Sequence, residues 1–179
     1  MDPTTHYFED CDAEQTLVQY LQRKCTLIIG TDGGKRDHQG SFSWILYSPG
    51  EEKLVFNAGP VDGWHRFQSS LRSEAAAIAS LTLYVDELAT FHQVEICCTF
   101  RLYVDSTSAI SNVKTLRDRI PKRRFPNHAD LLSTMSSAHY VLKKFMMSHV
   151  HSHQDKDTAF AELSFPVQLN ILCDTMATK

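Results

Sequence analysis

The sequence predicts an α/β domain built on a five-stranded mixed sheet, in which three antiparallel strands are extended by two parallel ones. Three observations favour this fold. Alternating or β-branched runs joined by short glycine-containing turns fill residues 25–58, which is typical of an antiparallel meander. Apolar residues then recur every three or four positions from Leu71 to Leu88, as on one face of a helix. Strand-like and helix-like segments alternate after that, which indicates parallel strands joined by helical crossovers.

The predicted elements follow the order β-β-β-α-β-α-α-β-α. Their predicted positions are strands at 25–31, 41–47 and 53–58, a helix over 71–88, a strand at 93–104, a helix at 106–116, a basic segment at 117–126, a helix at 127–142, a strand at 145–151 and a last helix that begins at Pro166. Residues 1–23 are polar with an acidic bias and are interpreted as a leader or linker. We therefore expect residues 24–179 to form one domain.

The composition is that of an ordinary globular domain, with 42% hydrophobic and 22% charged residues among 179. No apolar run reaches the length of a membrane span and the start lacks a signal-peptide pattern, so we expect no membrane partner and an intracellular protein. The five cysteines are scattered without a CxxC pair, which predicts reduced thiols. The net charge of -3 argues mildly against nucleic-acid binding, but basic residues cluster between Arg101 and Arg124.

Four acidic residues occupy informative positions. Asp32 and Asp105 each follow an apolar strand, and if those strands are parallel neighbours both side chains meet at one edge of the sheet. Glu74 falls within the apolar stripe of the long helix, where an unpartnered carboxylate is costly or takes up a proton. Asp174 lies in the last helix. Taken singly, each of them also fits an ordinary turn or surface acid.

Carboxylates that converge repel one another, and divalent cations remove that repulsion. Two cations about 4 Å apart stabilise both the attacking and the leaving oxygen in phosphoryl transfer. Hard oxygen ligands suit Mg²⁺, with Mn²⁺ as a substitute. The four acids together therefore predict a site for two Mg²⁺ ions.

The motifs around these acids resemble those of ribonuclease H. They are Thr31-Asp32-Gly33-Gly34, Ser69-Ser70-Leu71-Arg72-Ser73-Glu74, Tyr103-Val104-Asp105-Ser106, His151-Ser152-His153-Gln154 and Leu169-Asn170-Ile171-Leu172-Cys173-Asp174. The resemblance covers about residues 24–179. It implies a ribonuclease H-like fold and an endonuclease that hydrolyses the RNA strand of RNA–DNA hybrids by a two-metal-ion mechanism.

The resemblance also implies roles for individual residues. Asp32 would bridge both metal ions, Glu74 and Asp105 would help to hold one of them, and Asp174 would help to hold the other. His153 matches a mobile-loop histidine that assists water entry or product release. The residues that match or stand near nucleic-acid contacts are Gly33, Ser69, Ser70, Arg72, Ser106, Lys122, Arg123 and Arg124.

The segment between His153 and Asp174 is longer than in cellular ribonucleases H. The amino-acid sequence of this segment is more similar to the ribonuclease H domains of retroelement (LTR retrotransposon) reverse transcriptases. The resemblance therefore implies that the chain works as part of a reverse-transcription polyprotein, with a reverse transcriptase domain as its partner.

Two other functions stay open. One is a ribonuclease H-like domain that binds nucleic acid without cutting it, although the presence of all four acids argues against this. The other is a zinc hydrolase, because His149, His151 and His153 alternate along a strand and could bind Zn²⁺ together with Asp155. The order of that motif is unlike known zinc hydrolases, and it leaves Glu74 unexplained.

The basic segment carries the first testable prediction. Replacing Arg123 and Arg124 with alanine should weaken binding to an RNA–DNA hybrid and flatten the dependence of that binding on salt, because fewer counterions are released. Titrations of a labelled hybrid at several salt concentrations measure both effects. An unchanged salt slope would mean that the segment is merely a solvated basic loop.

Overall fold

The computed structural model describes residues 11–63, 68–118, 129–151 and 158–178. The strands in these residues are β1 (Thr26–Arg36), β2 (Gln39–Tyr47), β3 (Lys53–Pro60), β4 (Thr99–Val104) and β5 (Phe145–His149). The helices are α1 (Cys11–Leu21), α2 (Ser70–Phe91), α3 (Thr107–Asp118), α4 (Ala129–Ser137), α5 (His139–Leu142) and α6 (Phe165–Ala177), and a 3-10 turn covers Phe160–Glu162.

The five strands form one mixed sheet in the order β3-β2-β1-β4-β5. β1 pairs antiparallel with β2, and β2 pairs antiparallel with β3. β4 pairs parallel with β1, and β5 pairs parallel with β4. The predicted fold class, a meander extended by two parallel strands and flanked by helices, is confirmed.

The main core lies between the sheet and α2. Trp44 is fully buried on the face that α2 covers, and its indole N–H donates to the Ser80 hydroxyl at 3.1 Å. Its ring also lies 5.1 Å from the ring of Tyr84. On the parallel side of the sheet, the buried rings of Phe100 and Phe145 meet edge to face at 5.3 Å. These aromatic contacts hold α2 against the strands that carry the site.

The first strand is longer than predicted. The glycines after Asp32 indicated a turn, but β1 continues through them to Arg36 and stays paired with β2. The turn lies at Asp37 and His38, which have φ values of 48° and 69°. The glycines serve close packing instead, because a Cβ on Gly33 would lie 2.2 Å from the backbone nitrogen of Glu74. The predicted turn after Asp32 is therefore wrong.

Two further boundaries differ from the predicted ones. The predicted helix 127–142 is two helices, α4 and α5, which meet at Ala138 with a non-helical ψ of 37°, and residues 127–128 lie outside the described part. The predicted strand 93–104 begins only at Thr99, and Gln93 lies in a turn after the end of α2 with a positive φ of 54°.

The N-terminal segment also differs from its prediction. Residues 11–21 form α1, and Leu17 and Leu21, one helical turn apart, are 0% exposed in the hydrophobic core. The Leu21 carbonyl accepts a hydrogen bond from the backbone N–H of Cys97 at 2.7 Å. These residues are thus packed against the domain and do not form a free linker, whereas residues 1–10 lie outside the described part.

Two other expectations concern the state of the cysteines and the presence of a membrane-spanning helix. Cys25, Cys97, Cys98 and Cys173 are free thiols, in line with the predicted reduced state. Among the described residues, α2 is the longest helix, and no helix combines the length and the apolar character needed to cross a membrane.

The burial of α1 can be tested by mutation. Leu17→Ala should lower the free energy of unfolding by about 2–5 kcal/mol, because it leaves a cavity in the core. The exposed Gln15→Ala on the same helix is the matched control and should change stability by less than about 0.5 kcal/mol. Denaturant unfolding of both variants measures the difference, and equal stabilities would show that α1 does not contribute to the packed domain.

Candidate metal centre

The parallel pairing of β1 and β4 places Asp32 beside Asp105. The last pair in register is Thr31 with Val104, so the next residue on each chain segment is an acid. β4 ends at this point, whereas β1 continues along β2. Asp32 is 5% exposed and Asp105 is half-buried, so the two carboxylates lie at an edge that solvent reaches from one side.

Glu74 reaches the same point from α2. The helix begins after Ser69, whose hydroxyl caps it by accepting the backbone N–H of Arg72 at 3.1 Å. Because Gly33 lacks a side chain, the first turns of α2 press directly on β1. Glu74 is only 4% exposed, and its Oε2 atom has no hydrogen-bond partner within the described part of the chain.

Asp174 arrives from the opposite face of the sheet on α6. A Cβ on Gly30 would lie 2.9 Å from the Cβ of Leu169, so α6 packs closely on β1 at that glycine. The buried Ser43 hydroxyl donates to the carbonyl of Cys173 at 2.7 Å and fixes the position of the helix along the sheet. These contacts place the half-buried Asp174 next to the other acids.

The four acids line one cavity of about 370 Å³. Ligand oxygens of Asp32, Glu74 and Asp105 all lie within 4.8 Å of one another, and Asp174 is outside that tight group but on the same wall. The residues that complete the lining are Gly33, Gly34, Ser70, Leu71, Ser106, Asn170 and Ile171.

The cluster is electrostatically unfavourable without counter-charge. Burial, and then the nearby charges of Asp105 and Asp174, raise the pKa of Asp32 to about 7. Burial, a hydrogen bond with Asp105 and the charges of Asp105 and Asp32 raise the pKa of Glu74 to about 11. The backbone N–H of Gly33 hydrogen-bonds both carboxyl groups and lowers both pKa values, but it offsets only part of the increase.

The donor set fits divalent cations. All side-chain ligands are carboxylate oxygens, which Mg²⁺ and Mn²⁺ prefer over the softer metals. The unpartnered Oε2 of Glu74 is a buried acceptor with nothing to accept, and a cation would satisfy it. Because their pKa values are raised, Asp32 and Glu74 hold protons that a bound cation would have to displace. The release of these protons would lower the affinity for the cation.

Other predicted contact residues surround this cavity. Ser70 and Ser106 stand at its rim, each beside the N-terminus of a helix, and the Ser106 hydroxyl accepts the backbone N–H of Ala109 at 3.2 Å. Gly33 and Gly34 form part of the lining. The remaining predicted residues His153, Lys122, Arg123 and Arg124 lie outside the described part of the chain.

The Arg72 side chain is bound within the protein. It is only 6% exposed and forms a bidentate ion pair with Asp130, with Nη1 at 3.0 Å from Oδ1. Its guanidinium also donates to the carbonyl of Asp62. The hydrogen bond from Arg72 holds the pKa of Asp130 below its ordinary value. Arg72 therefore ties α2 to α4, and its predicted contact with the nucleic-acid backbone stays a prediction.

The histidines do not form a metal site among the described residues. The His149 ring lies 4.9 Å from the ring of His151, and its Nε2 is 3.0 Å from the carbonyl oxygen of Asp105. The acid group is the one cluster of three metal-ligating side chains within the described ranges. Since His153 and Asp155 lie outside those ranges, the histidine arrangement gives no support to the zinc alternative.

Asn170 is a site residue that the sequence analysis did not single out. It is 4% exposed, lines the acid cavity, and its Nδ2 atom lacks a hydrogen-bond partner in the described residues. It precedes Asp174 by one helical turn on α6. A buried amide at that spacing from an acid, in an otherwise apolar helix, was the signal that could have identified it.

Comparisons with known proteins define the fold. No known protein-family profile and no curated protein matches the sequence. Among solved structures, the protease–reverse transcriptase of prototype foamy virus aligns with a TM-score of 0.60 and 15% identity over 85% of this chain. This chain spans about 20% of the length of that protein.

Cellular ribonucleases H align over nearly their whole length. RNase H1 from the halophilic archaeon Halobacterium salinarum NRC-1 gives a TM-score of 0.54 and 13% identity over 86% of this chain and 95% of its own. LC11-RNase H1, isolated from compost, was solved in complex with an RNA/DNA hybrid. That structure gives a TM-score of 0.56 and 12% identity over 85% of this chain and 96% of its own. The chain therefore has the ribonuclease H fold, and its predicted resemblance to ribonuclease H domains, including one joined to a reverse transcriptase, is confirmed in structure.

The raised pKa values predict how stability depends on pH without metal. Asp32 and Glu74 hold protons more tightly in the folded protein than in the unfolded chain, whose carboxyls titrate near pH 4. Their contribution to stability is complete below about pH 4 and is lost as the pH rises through about 7 for Asp32 and on toward about 11 for Glu74. The melting temperature in EDTA should therefore fall between mildly acidic and alkaline pH.

Asp105→Asn provides the comparison that isolates this effect. It removes one repelling charge, so its melting temperature should fall less steeply with pH than that of the parent chain. Mg²⁺ should raise the melting temperature of the parent at neutral pH and raise that of the variant less. Identical pH slopes for the two proteins would show that the carboxylates are not electrostatically coupled.

Proposed function

We propose that the chain is a ribonuclease H, an endonuclease that hydrolyses the RNA strand of RNA–DNA hybrids. One observation carries the proposal: a buried glutamate, one of whose oxygens has no hydrogen-bond partner among the described residues, lies within 4.8 Å of two aspartates in a cavity that also holds a fourth acid. A ribonuclease H fold that retained no catalysis would gain nothing from this repulsive arrangement. The likeness to LC11-RNase H1, which was solved with an RNA/DNA hybrid, supports the choice of substrate.

The four acids would hold two Mg²⁺ ions, with Mn²⁺ as a substitute. Asp32 is central, because the charges of both Asp105 and Asp174 act on it. Glu74 and Asp105 lie on one side of it and Asp174 approaches from the other face of the sheet. When bound, the ions would supply the positive charge that stabilises an in-line attack of water on the scissile phosphate.

The protein's own groups would position the substrate. The N-termini of α2 and α3 meet the cavity at Ser70 and Ser106, and neither helix has an acid in its first turn. Helix N-termini favour phosphate groups, so the two ends would bind the strand backbone. The serine hydroxyls and the backbone of Gly33 and Gly34 would contact 2′-hydroxyl groups, which distinguish RNA from DNA.

The setting of the activity is also part of the proposal. The likeness to a segment of the foamy virus protease–reverse transcriptase supports a role in a retroelement polyprotein, beside a reverse transcriptase domain. Lys122, Arg123 and Arg124 would supply sequence-independent affinity for the hybrid. His153 would assist water entry or product release.

The activity predicts a sharp difference between variants. Asp105→Asn should reduce Mg²⁺-dependent cleavage of a hybrid by about a hundredfold or more, because it removes a ligand of the cations that would stabilise transition-state charge. Glu52→Gln, an exposed acid between β2 and β3, is the matched control and should cleave like the parent chain. Labelled RNA–DNA hybrid, RNA duplex and DNA duplex, each with Mg²⁺ and with EDTA, measure activity and specificity.

The outcomes separate the candidate functions. Cleavage of the hybrid alone, abolished by EDTA, supports ribonuclease H. Tight binding of the hybrid with no cleavage by the parent chain would favour the non-catalytic binding domain. Cleavage that persists in Asp105→Asn and increases with the amount of zinc bound would favour the histidine-based hydrolase instead.

A further inference from the structure

A second concave surface lies between α1 and the C-terminal half of α2. It has a volume of about 490 Å³, and most of its lining residues recur every three or four positions along α2. Among the described residues, its lining has no member in common with the acid cavity. We name this surface the helix groove, and its lining residues are Glu14, Ser80, Leu83, Tyr84, Glu87, Leu88 and Phe91.

The helix groove presents apolar surface that the fold leaves uncovered. Phe91 is 79% exposed, more than any other large apolar side chain in the described part of the chain. Leu83 is half-buried and Leu88 is 6% exposed, and both line the groove on the same face of α2 as Phe91. A concave apolar surface with an exposed aromatic side chain is typical of a protein–protein contact.

The exposed ring of Phe91 is held in place by its neighbours. It meets the ring of His92 edge to face, with the ring centroids 5.0 Å apart. His92 in turn binds Glu14 of α1, with Nε2 at 2.6 Å from Oε1. At the other end of the groove, the Ser80 hydroxyl accepts the indole N–H of Trp44 at 3.1 Å. Because these contacts fix both ends, the groove is formed in advance, and a partner loses less entropy on binding.

The helical segments that form the groove carry only acidic charge. α1 contains Asp12 and Glu14 as its charged residues. The last three turns of α2 contain Asp86 and Glu87, and neither segment has a lysine or an arginine. Glu87 is exposed and forms no ion pair within the described ranges. A partner that covers the apolar stripe is therefore favoured if its edge carries lysine or arginine, and an acidic edge is repelled.

The dimensions of the groove fit a helix. From Ser80 to Phe91 the axis of α2 advances about 16 Å, or about three helical turns. The walls are helices whose backbone groups are bonded internally, so an extended partner segment would find no strand edge to pair with. A partner helix satisfies its own backbone and presents apolar side chains at positions i, i+3 or i+4, and i+7.

We propose that the helix groove docks an amphipathic helix of a partner protein. Apolar side chains of that helix would cover Phe91, Leu83 and Leu88, and lysine or arginine residues along its edge would face Glu87. Along α2, Phe91 lies about 25 Å from Glu74, so a helix docked here leaves the acid cavity open. The inference does not depend on the proposed function, because it uses none of the four acids.

Designed peptides test the chemistry of the partner. The probe is a labelled helical peptide of about 15 residues, with leucine at helical spacing on one face and lysine along both edges of that face. A matched peptide carries glutamate in place of each lysine. At low salt the parent chain should bind the lysine peptide at least about tenfold more tightly, measured by fluorescence anisotropy, and salt should reduce the difference. Equal affinities, or no binding of the lysine peptide, would contradict the proposed chemistry.

Surface variants locate the contact. Phe91→Ala should weaken binding of the lysine peptide by about tenfold, because it removes the exposed aromatic anchor. The matched control is Phe160→Ala, which removes an exposed aromatic ring outside the groove and should leave the affinity unchanged. Glu87→Gln should weaken the lysine peptide a few fold, and it should not affect a peptide with glutamine in place of lysine. Equal melting temperatures of the variants and the parent chain check that the fold is retained.

Asp105→Asn separates the helix groove from the acid cavity as the place of binding. A lysine peptide held by the four acids would lose affinity in this variant, because one of the attracting charges is removed. A peptide in the helix groove should bind the variant as it binds the parent chain. Binding that Phe91→Ala leaves intact, or that Asp105→Asn weakens as much as Phe91→Ala is expected to, would overturn the inference.

Discussion

The close packing of β1 against α2 at Gly33 is the constraint on which the site depends. A side chain there would overlap the backbone of the helix, with its Cβ 2.2 Å from the nitrogen of Glu74. The contact brings a helix-borne carboxylate next to Asp32 and Asp105, and so creates a repulsion that the surrounding fold must overcome. The Gly33 N–H hydrogen-bonds the Asp32 and Glu74 carboxyl groups, which couples the packing directly to the electrostatics.

The elements that carry the acids are held by interactions outside the acid cluster. α6 is fixed on the sheet by the hydrogen bond from Ser43 to the Cys173 carbonyl. α2 is fixed to α4 by the buried guanidinium of Arg72 on Asp130. Moving α2 away from α4 would leave the buried guanidinium of Arg72 without its charge partner, so the pair opposes the movement that mutual repulsion would favour. The carboxylates can therefore stay close together while keeping oxygens available for a cation.

The sequence was sufficient for the architecture because periodicity reports which face of an element is buried. It was not sufficient for contacts that depend on distant partners. Gly33-Gly34 has the composition of a turn, and only its packing on α2 shows why the strand continues. Leu17 and Leu21 lie one helical turn apart, but the apolar pattern of this 11-residue segment is too short to show that it packs on the domain. Arg72 meets Asp130, 58 positions away, so no local pattern could show that its charge is already paired.

Under the proposed function, positive groups on two sides of the acids would suit a strand that passes through the cavity. The N-termini of α2 and α3 lie at one rim, at Ser70 and Ser106, and the exposed Lys35 and Arg36 follow Gly34, which lines the same cavity. A small anion would need only one of these positive regions. A polyanion benefits from both, because each phosphate that replaces condensed counterions adds to binding. Among the described residues, the acids between them supply only negative charge, and a bound cation would provide the positive charge there.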